Sequence, residues 1–471
     1  MAGGVVVGTA PFVFDTASGG YLTGRQLILP LALVTSLFFL WGFAYGLLDV
    51  LNSHFQIVLG ITKLQSTGLQ VAYFGGGYLC FSPIAGSVLK KWGYKKTIIM
   101  GLCFYAVGAI LFWPCAKFSS PSKADAAFAG FVVCTLIIAC GLATLEVSAN
   151  SYATVIGSPE WASFRLQLCQ SFNGVASFAG PFIASKYFFS DGNADNLTNV
   201  QWVYLAVACV GAVLAIIFFF FPLPEVSEAS LAEQADQHAQ QDGHNGVSRA
   251  EKPFHKQYRL IYGFIAQFMY VGAQVTVATF FLNYTIETVG WSQAYASNFL
   301  SYSLIMFTVA RFFGTALLTV ISSDFLLFIY ASICAVLSIV VASASGSGAI
   351  ACLMLIFWFE SIQYPVIFVL GTVDLGTHAR RGAALIVMGV SGGAVFPPIQ
   401  GAIADIHGTH ISYFVTLPAY LIVASFAAFC WFQDGRHILK VKDVVSNTAS
   451  DEEAVANVTD VKEVNVMGEK Y

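Results

Sequence analysis

Apolar runs of about twenty residues recur along nearly the whole chain, and a helix of that length crosses about 30 Å of hydrocarbon. Allowing for tilt, there are twelve: Leu27–Phe55, Gly68–Leu89, Thr97–Cys115, Ala127–Ile156, Leu166–Phe188, Val200–Phe221, Leu260–Tyr284, Ala296–Ile321, Phe325–Ala344, Ala349–Val373, Ala383–Ala404 and Tyr413–Trp431. Lipid offers backbone amides no hydrogen-bond partner, so each run must satisfy its own as a helix. The hydrophobic share of 57% exceeds what a soluble domain uses. The expected fold is an all-α polytopic membrane protein of twelve transmembrane helices.

An even number of spans puts both termini on one side. On that side fall Arg25, Lys90, Lys91, Lys95, Lys96, Arg165, Arg249, Lys252, Lys256, Arg259, Arg380, Arg381, Arg436, Lys440 and Lys442. Lys63, Lys117, Lys123 and Lys186 fall on the other. The positive-inside rule therefore places both termini in the cytosol. The first 24 residues lack a basic segment followed by an apolar core and a cleavage site, so no cleaved signal is expected. A polar, charged stretch after the sixth span divides the chain, giving a cytosolic tail at 1–26, a six-helix bundle at 27–222, a linker at 223–258, a second six-helix bundle at 259–432 and a tail at 433–471. Asn196-Leu197-Thr198 is an acceptor sequon on the outer side, and Asn457-Val458-Thr459 lies in the cytosolic tail.

Polar groups inside the spans are the informative exceptions, because an ionisable side chain near a bilayer centre costs roughly 2.5–3.5 kcal/mol unless it faces water or a partner. Glu146 stands in the fourth span, eleven residues before Gly157, and Glu360 stands in the tenth, eleven before Gly371. Eleven residues of helix rise about 16 Å, half the hydrocarbon thickness, so both carboxyls are expected near the midplane. The repetition points to a duplicated unit. Tyr45, Asp49 and Asn52 share a face of the first span, as do Glu146 and Asn150 in the fourth. Gln267 and Gln274 lie two turns apart in the seventh span, with Tyr270 nearby. Arg311 is an intramembrane cation in the eighth, Glu360, Gln363 and Tyr364 crowd the tenth, and Gly392-Gly393 with Pro397-Pro398 should break the eleventh. Arginine keeps its proton and needs an anion, which favours a buried Arg311–Glu360 ion pair over a Glu360 that bonds a substrate.

All ten cysteines fall in or at the edges of apolar spans, so neither a disulfide framework nor a metal site is expected. No span carries a metal-ligand pair or a nucleophile–base pair at workable spacing, and the eight histidines lie mostly in loops. An enzyme is the reading least favoured, and no cofactor is implied.

The loop KKWGYKK, with Gly86, Lys91, Gly93 and Lys95, resembles the loop between helices two and three of the major facilitator superfamily, although Lys90 stands where the acid usually is. The strings FFLWGFAYGLLDVLNSHF, GLATLEVSAN, FRLQLCQSFN, AQFMYVGAQ, ARFFGT and SIQYPVIF resemble, in the same order, the fucose–proton symporter family of that superfamily, from about residue 28 to residue 432. The resemblance implies two six-helix bundles around a cavity that opens alternately to each side, and import of a sugar with a proton. It carries the family's two acids to Asp49 and Glu146, and its polar helix-five residues to Gln170 and Asn173. Tyr45 and Gly46 depart from the family's asparagines in helix one, and Glu360 comes from the internal repeat, not from the family.

The leading expectation is a proton-coupled monosaccharide importer, with Glu146 and Asp49 coupling the proton. Tyr45, Asn150, Gln170, Asn173, Gln274, Gln363, Tyr364 and Glu360 would hold the sugar, amides on its hydroxyls and aromatic rings on its faces. Alternatives are a symporter for glucose, galactose or an amino sugar, a proton-driven exporter, and a non-transporting sugar sensor. The expected partners are the sugar, the proton and the lipid bilayer of a multi-pass protein of the plasma membrane, with a monomer as the transport unit and no nucleic acid.

Overall fold

The computed structural model describes residue 22, residues 24–59, 68–118, 124–188 and 198–226, residue 231, and residues 252–440, with the side chains at 45, 47–59, 180–188, 198–201 and 293–294 excepted. Most of the linker and most of both tails lie outside the described residues, as do Asn196 and Asn457 and the side chains of Tyr45, Asp49 and Asn52.

Among the described residues, helices carry the architecture. The first half comprises α1 (Gly24–Leu59), α2 (Val71–Phe81), α3 (Ser82–Lys117), α4 (Ala124–Val155), α5 (Ala162–Phe188) and α6 (Thr198–Phe220). The second comprises α7 (Tyr258–Thr279), α8 (Phe281–Val289), α9 (Gln293–Leu317), α10 (Ser323–Ser343), α11 (Ser347–Glu360), α12 (Gln363–Thr372), α13 (Ala379–Met388), α14 (Gly392–His407), α15 (Thr409–Ser412) and α16 (Thr416–Gln433). Ten helical runs among the described residues are long and apolar enough to cross a membrane. One of them, the fifty-residue run Gly68–Lys117, makes two crossings because it breaks at Gly93, and the 27-residue α5 adds another. Twelve crossings result.

The break at Gly93 is built from its own residues. Its φ of 80° belongs to the region that glycine enters freely. The Glu225 carboxylate then accepts from the amides of Tyr94 at 3.0 Å and Lys95 at 2.8 Å, capping the helix that restarts there. The KKWGYKK loop is thus the hinge between spans two and three.

Within each half the helices pack on near neighbours, α3 against α4 and α6, α1 against α5, α10 against α16, and α7 against α14 and α16. Small residues set the closest approaches: a Cβ on Gly141 would lie 2.6 Å from the Tyr105 amide nitrogen, so α3 and α4 touch backbone to backbone. Between the halves, α5 packs on α9, and α2 on the turn joining α13 to α14. Large apolar side chains such as Ile28, Trp202, Phe220 and Ile406 remain exposed on the outer surface, where lipid is their solvent.

Two helix breaks position the site. Pro365 lacks the amide hydrogen that would bond the Ser361 carbonyl, and span ten is interrupted at Ser361 and Ile362. Side chains from other spans take up the freed carbonyls: Tyr270 donates to Glu360 O at 2.8 Å and Gln167 to Ser361 O at 3.3 Å. Span eleven breaks at a single tight turn, Gly389–Ser391, just before the expected Gly392-Gly393, while Pro397 and Pro398 continue inside α14.

Candidate functional site

From Gly141 to Ala153 every residue of α4 is buried. Glu146, only 2% exposed, therefore faces protein and not lipid. The same holds from Glu360 to Gly371 in the tenth span. The eleven-residue correspondence seen in the sequence is thus repeated in burial.

A cavity of about 140 Å³ lies between the halves. The first half contributes Trp41, Tyr73, Tyr78, Gln170 and Asn173, and the second contributes Gln274, Phe307, Arg311, Glu360 and Tyr364. Six expected site residues therefore meet there: Gln170, Asn173, Gln274, Arg311, Glu360 and Tyr364. Both amide atoms of Gln170 are buried without a partner among the described residues, leaving a donor and an acceptor for a ligand. Asn173 is more committed. Its Nδ2 donates to Phe38 O at 3.1 Å and its Oδ1 accepts from Arg311 at 2.9 Å.

Glu146 and Asn150 sit one step behind the cavity wall, and Tyr364 is the wall. The Tyr364 hydroxyl donates to Glu146 Oε1 and accepts from Asn150 Nδ2 at 3.1 Å, so a single phenol ties two residues of α4 to the opposite half. Tyr78 lies beside the same carboxyl. The Tyr73 and Tyr78 hydroxyls are 3.4 Å apart, a pairing of residues five apart that fits the wide π-helical winding of α2, and Trp41 Nε1 donates to Tyr73 at 3.2 Å. This aromatic chain was missed because its members read as ordinary apolar filling. The glycine run Gly75–Gly77 was the one hint that α2 is unusual.

Two expectations need correction. Arg311 and Glu360 do not form an ion pair: Arg311 Nη1 donates to Gln170 O at 2.5 Å and to Asn173 Oδ1, and the guanidinium rests 4.5 Å from the centre of the Phe307 ring. It is turned toward α5, which packs on its own helix. Glu360 Oε1 instead accepts from Tyr420 at 2.5 Å. Gln363 does not face the cavity: the break at Ser361 and Ile362 turns it toward α10, where Nε2 reaches Cys334 Sγ at 3.3 Å and also bonds Phe359 O at 2.9 Å.

The end bearing the basic residues is sealed. Arg380 donates to Leu89 O and Lys90 O, both at 3.3 Å, and to Val226 O at 2.6 Å, joining the second half to the first. Lys440 donates to Glu160 O at 2.9 Å and sits 4.2 Å from the centre of the Trp161 ring, where burial holds its ammonium below the usual lysine range. The cavity extends the other way, toward Ser177, Ala278 and Leu304.

Residues 31–393 match the Major Facilitator Superfamily. The chain belongs to that superfamily. Among its members, the "Glucose/galactose transporter" of Brucella abortus is 32% identical over 399 residues, covering 83% of this chain and 91% of the relative. The "L-fucose-proton symporter" of Escherichia coli is 32% identical over 432 residues, covering 86% of this chain and 94% of the relative. The crystal structure of the superfamily transporter FucP in the outward conformation superposes with a TM-score of 0.72 at 29% identity, over 86% of this chain and 99% of that one. A xylose symporter, XylE, at 15% identity and a TM-score of 0.60, shares the fold. This Major Facilitator Superfamily chain is accordingly a multi-pass membrane protein.

Proposed function

We propose that the protein imports a monosaccharide together with a proton by alternating access, in the class of hexoses that includes glucose, galactose and fucose. The observation that carries the reading is the Tyr364 bridge: a buried carboxyl in one half is hydrogen-bonded by a cavity-wall tyrosine of the other. Moving the halves apart must break that bond. An ionised Glu146 without it would be a buried charge left with Tyr78 and no counter-ion, whereas a protonated Glu146 loses little. Proton occupancy therefore sets when the halves can move. Gln170 and Gln274 present hydroxyl-binding amides, and Trp41 and Tyr364 add aromatic rings to the wall, which suits a sugar. Asp49 serves as a second coupling acid on the first span, and Tyr45 adds to the sugar site. The names borne by the relatives support sugar and proton as the cargo.

The test is uptake of labelled glucose, galactose and fucose by reconstituted vesicles, with and without an inward proton gradient. Gradient-driven accumulation of at least one of them is expected. Uptake that ignores the gradient removes the proton, and uptake of none removes the sugar.

A further inference from the structure

Glu360 shares the features that single out Glu146, and nothing in the coupling scheme above uses it. Both carboxyls are buried, Glu146 at 2% exposure and Glu360 at 0%. Each accepts a tyrosine hydroxyl on Oε1, with Tyr78 also beside Glu146, and each Oε2 has no hydrogen-bond partner among the described residues. Neither makes an ion pair among the described residues. The difference between them is access: Glu360 itself lines the cavity, whereas Glu146 stands behind Tyr364.

The groups around Glu360 come from every helix packed on it. α7 supplies Tyr270, whose hydroxyl is spent on the Glu360 backbone carbonyl, and α10 supplies Cys334. Tyr420 comes from α16, and Tyr413 from the turn that precedes it. All four are uncharged at neutral pH. The nearest cation in the cavity wall, Arg311, is engaged with Gln170 O and Asn173 Oδ1 of the first half. A carboxylate in such surroundings has one hydrogen bond and no counter-ion, and the desolvation cost of an unpaired buried charge is several kcal/mol. A proton on Oε2 removes that charge and turns the oxygen into a donor that a sugar hydroxyl in the cavity can accept.

We propose that Glu360 is a separate proton-carrying site in the second half: it takes a proton on Oε2 from the outer side and releases it on the cytosolic side in each cycle, in addition to the proton carried by the first half. Resting as it does on the proton-coupled reading, the proposal fixes a number that this reading leaves open. The count of protons per sugar exceeds one, and one of them belongs to Glu360.

The test is the limiting sugar accumulation in proteoliposomes of the full chain, at zero membrane potential and a proton gradient of about one pH unit. Each coupled proton raises that limit about tenfold. Wild type should reach on the order of 100-fold or more, Glu360→Gln should fall about tenfold below it, and Glu360→Asp, which keeps the acid, should restore the limit. A wild-type limit near tenfold, or a Glu360→Gln limit equal to wild type, overturns the Glu360 site and leaves the proton-coupled reading intact. If Glu360→Gln fails to reach the membrane, the wild-type limit and the Glu360→Asp limit decide. Wild-type accumulation with no dependence on the gradient overturns both.

Discussion

The Tyr364 hydroxyl of the tenth span donates to the Glu146 carboxyl of the fourth and accepts from Asn150 one turn further along, so the two halves meet through a three-membered polar contact buried beside the cavity. A phenol is well suited to this place. It donates once and accepts once, and its ring forms cavity wall at the same time.

Replacing that phenol with phenylalanine keeps the wall and removes the contact. Tyr364→Phe leaves Glu146 and Asn150 each short of a partner, at a cost of about 1–3 kcal/mol. Sugar exchange across the membrane should persist while proton-driven accumulation falls. Exchange and accumulation that both match wild type would show that the bond does not couple the halves.

Glu146→Gln imitates the protonated acid and cannot release a proton. Exchange should continue, with the accumulation limit about tenfold lower per unit of pH gradient. Combined with Glu360→Gln, it should leave exchange and remove the contribution of both buried glutamates. Undiminished accumulation in the single variant would remove Glu146 from the coupling scheme.

Much of this arrangement was legible in the sequence, and the reasons differ between residues. The twelve apolar runs and the placement of Lys and Arg rest on hydrocarbon thickness and on charge asymmetry, which act on any chain. Glu146 and Glu360 stood out because a carboxyl in an apolar run is costly wherever it points. Direction was harder to read. Gln363 follows Glu360 by three positions and Tyr364 by four, yet the break at Ser361 and Ile362 turns Gln363 toward Cys334 and leaves Tyr364 on the cavity. The Arg311–Glu360 expectation failed for a related reason: charge logic alone ignored that backbone carbonyls and an amide oxygen on α5 can hold a guanidinium. Tyr73, Tyr78 and Trp41 gave no signal, since aromatic residues are ordinary filling in a membrane span.

Arg311 and Glu360 should accordingly behave as independent sites. Arg311→Gln removes the donor to Gln170 O and Asn173 Oδ1 and should loosen the packing of α5 on α9, lowering thermal stability in detergent. Glu360→Gln should alter stability little, because the amide carbonyl still accepts from Tyr420. The double variant should be no more stable than Arg311→Gln alone, because the two side chains have no hydrogen-bond partner in common. Recovery of stability in the double variant would restore the ion pair.

The sealed basic end sets the last expectation. Leu89 and Lys90 lie at the end of the second span just before the Gly93 break, where the last carbonyls of a helix lack partners and carry the negative end of its dipole. Arg380, at the start of α13 in the other half, fills that need, with a further bond to Val226 O and its guanidinium 5.0 Å from the centre of the Tyr94 ring. Lys90 occupies the position where an acid would otherwise offer a charge, so here the latch is made by backbone carbonyls. Hydrogen bonds to a charged group contribute about 1.5–3 kcal/mol each, and even one such loss shifts an equilibrium between closed and open ends by roughly tenfold or more. Arg380→Ala should therefore open this end, and Arg380→Lys, a single point donor, should restore part of the closure. Ala384 offers a reporter position, since it packs against Gly86 across the same seam. A cysteine placed there by Ala384→Cys, in a background lacking the native cysteines, should react with a membrane-impermeant maleimide on the basic side at least several times faster when Arg380 is replaced by alanine. Equal labelling rates with and without Arg380 would show that the seam is held by packing of α13 against α3 and α4, with the arginine an accessory to it.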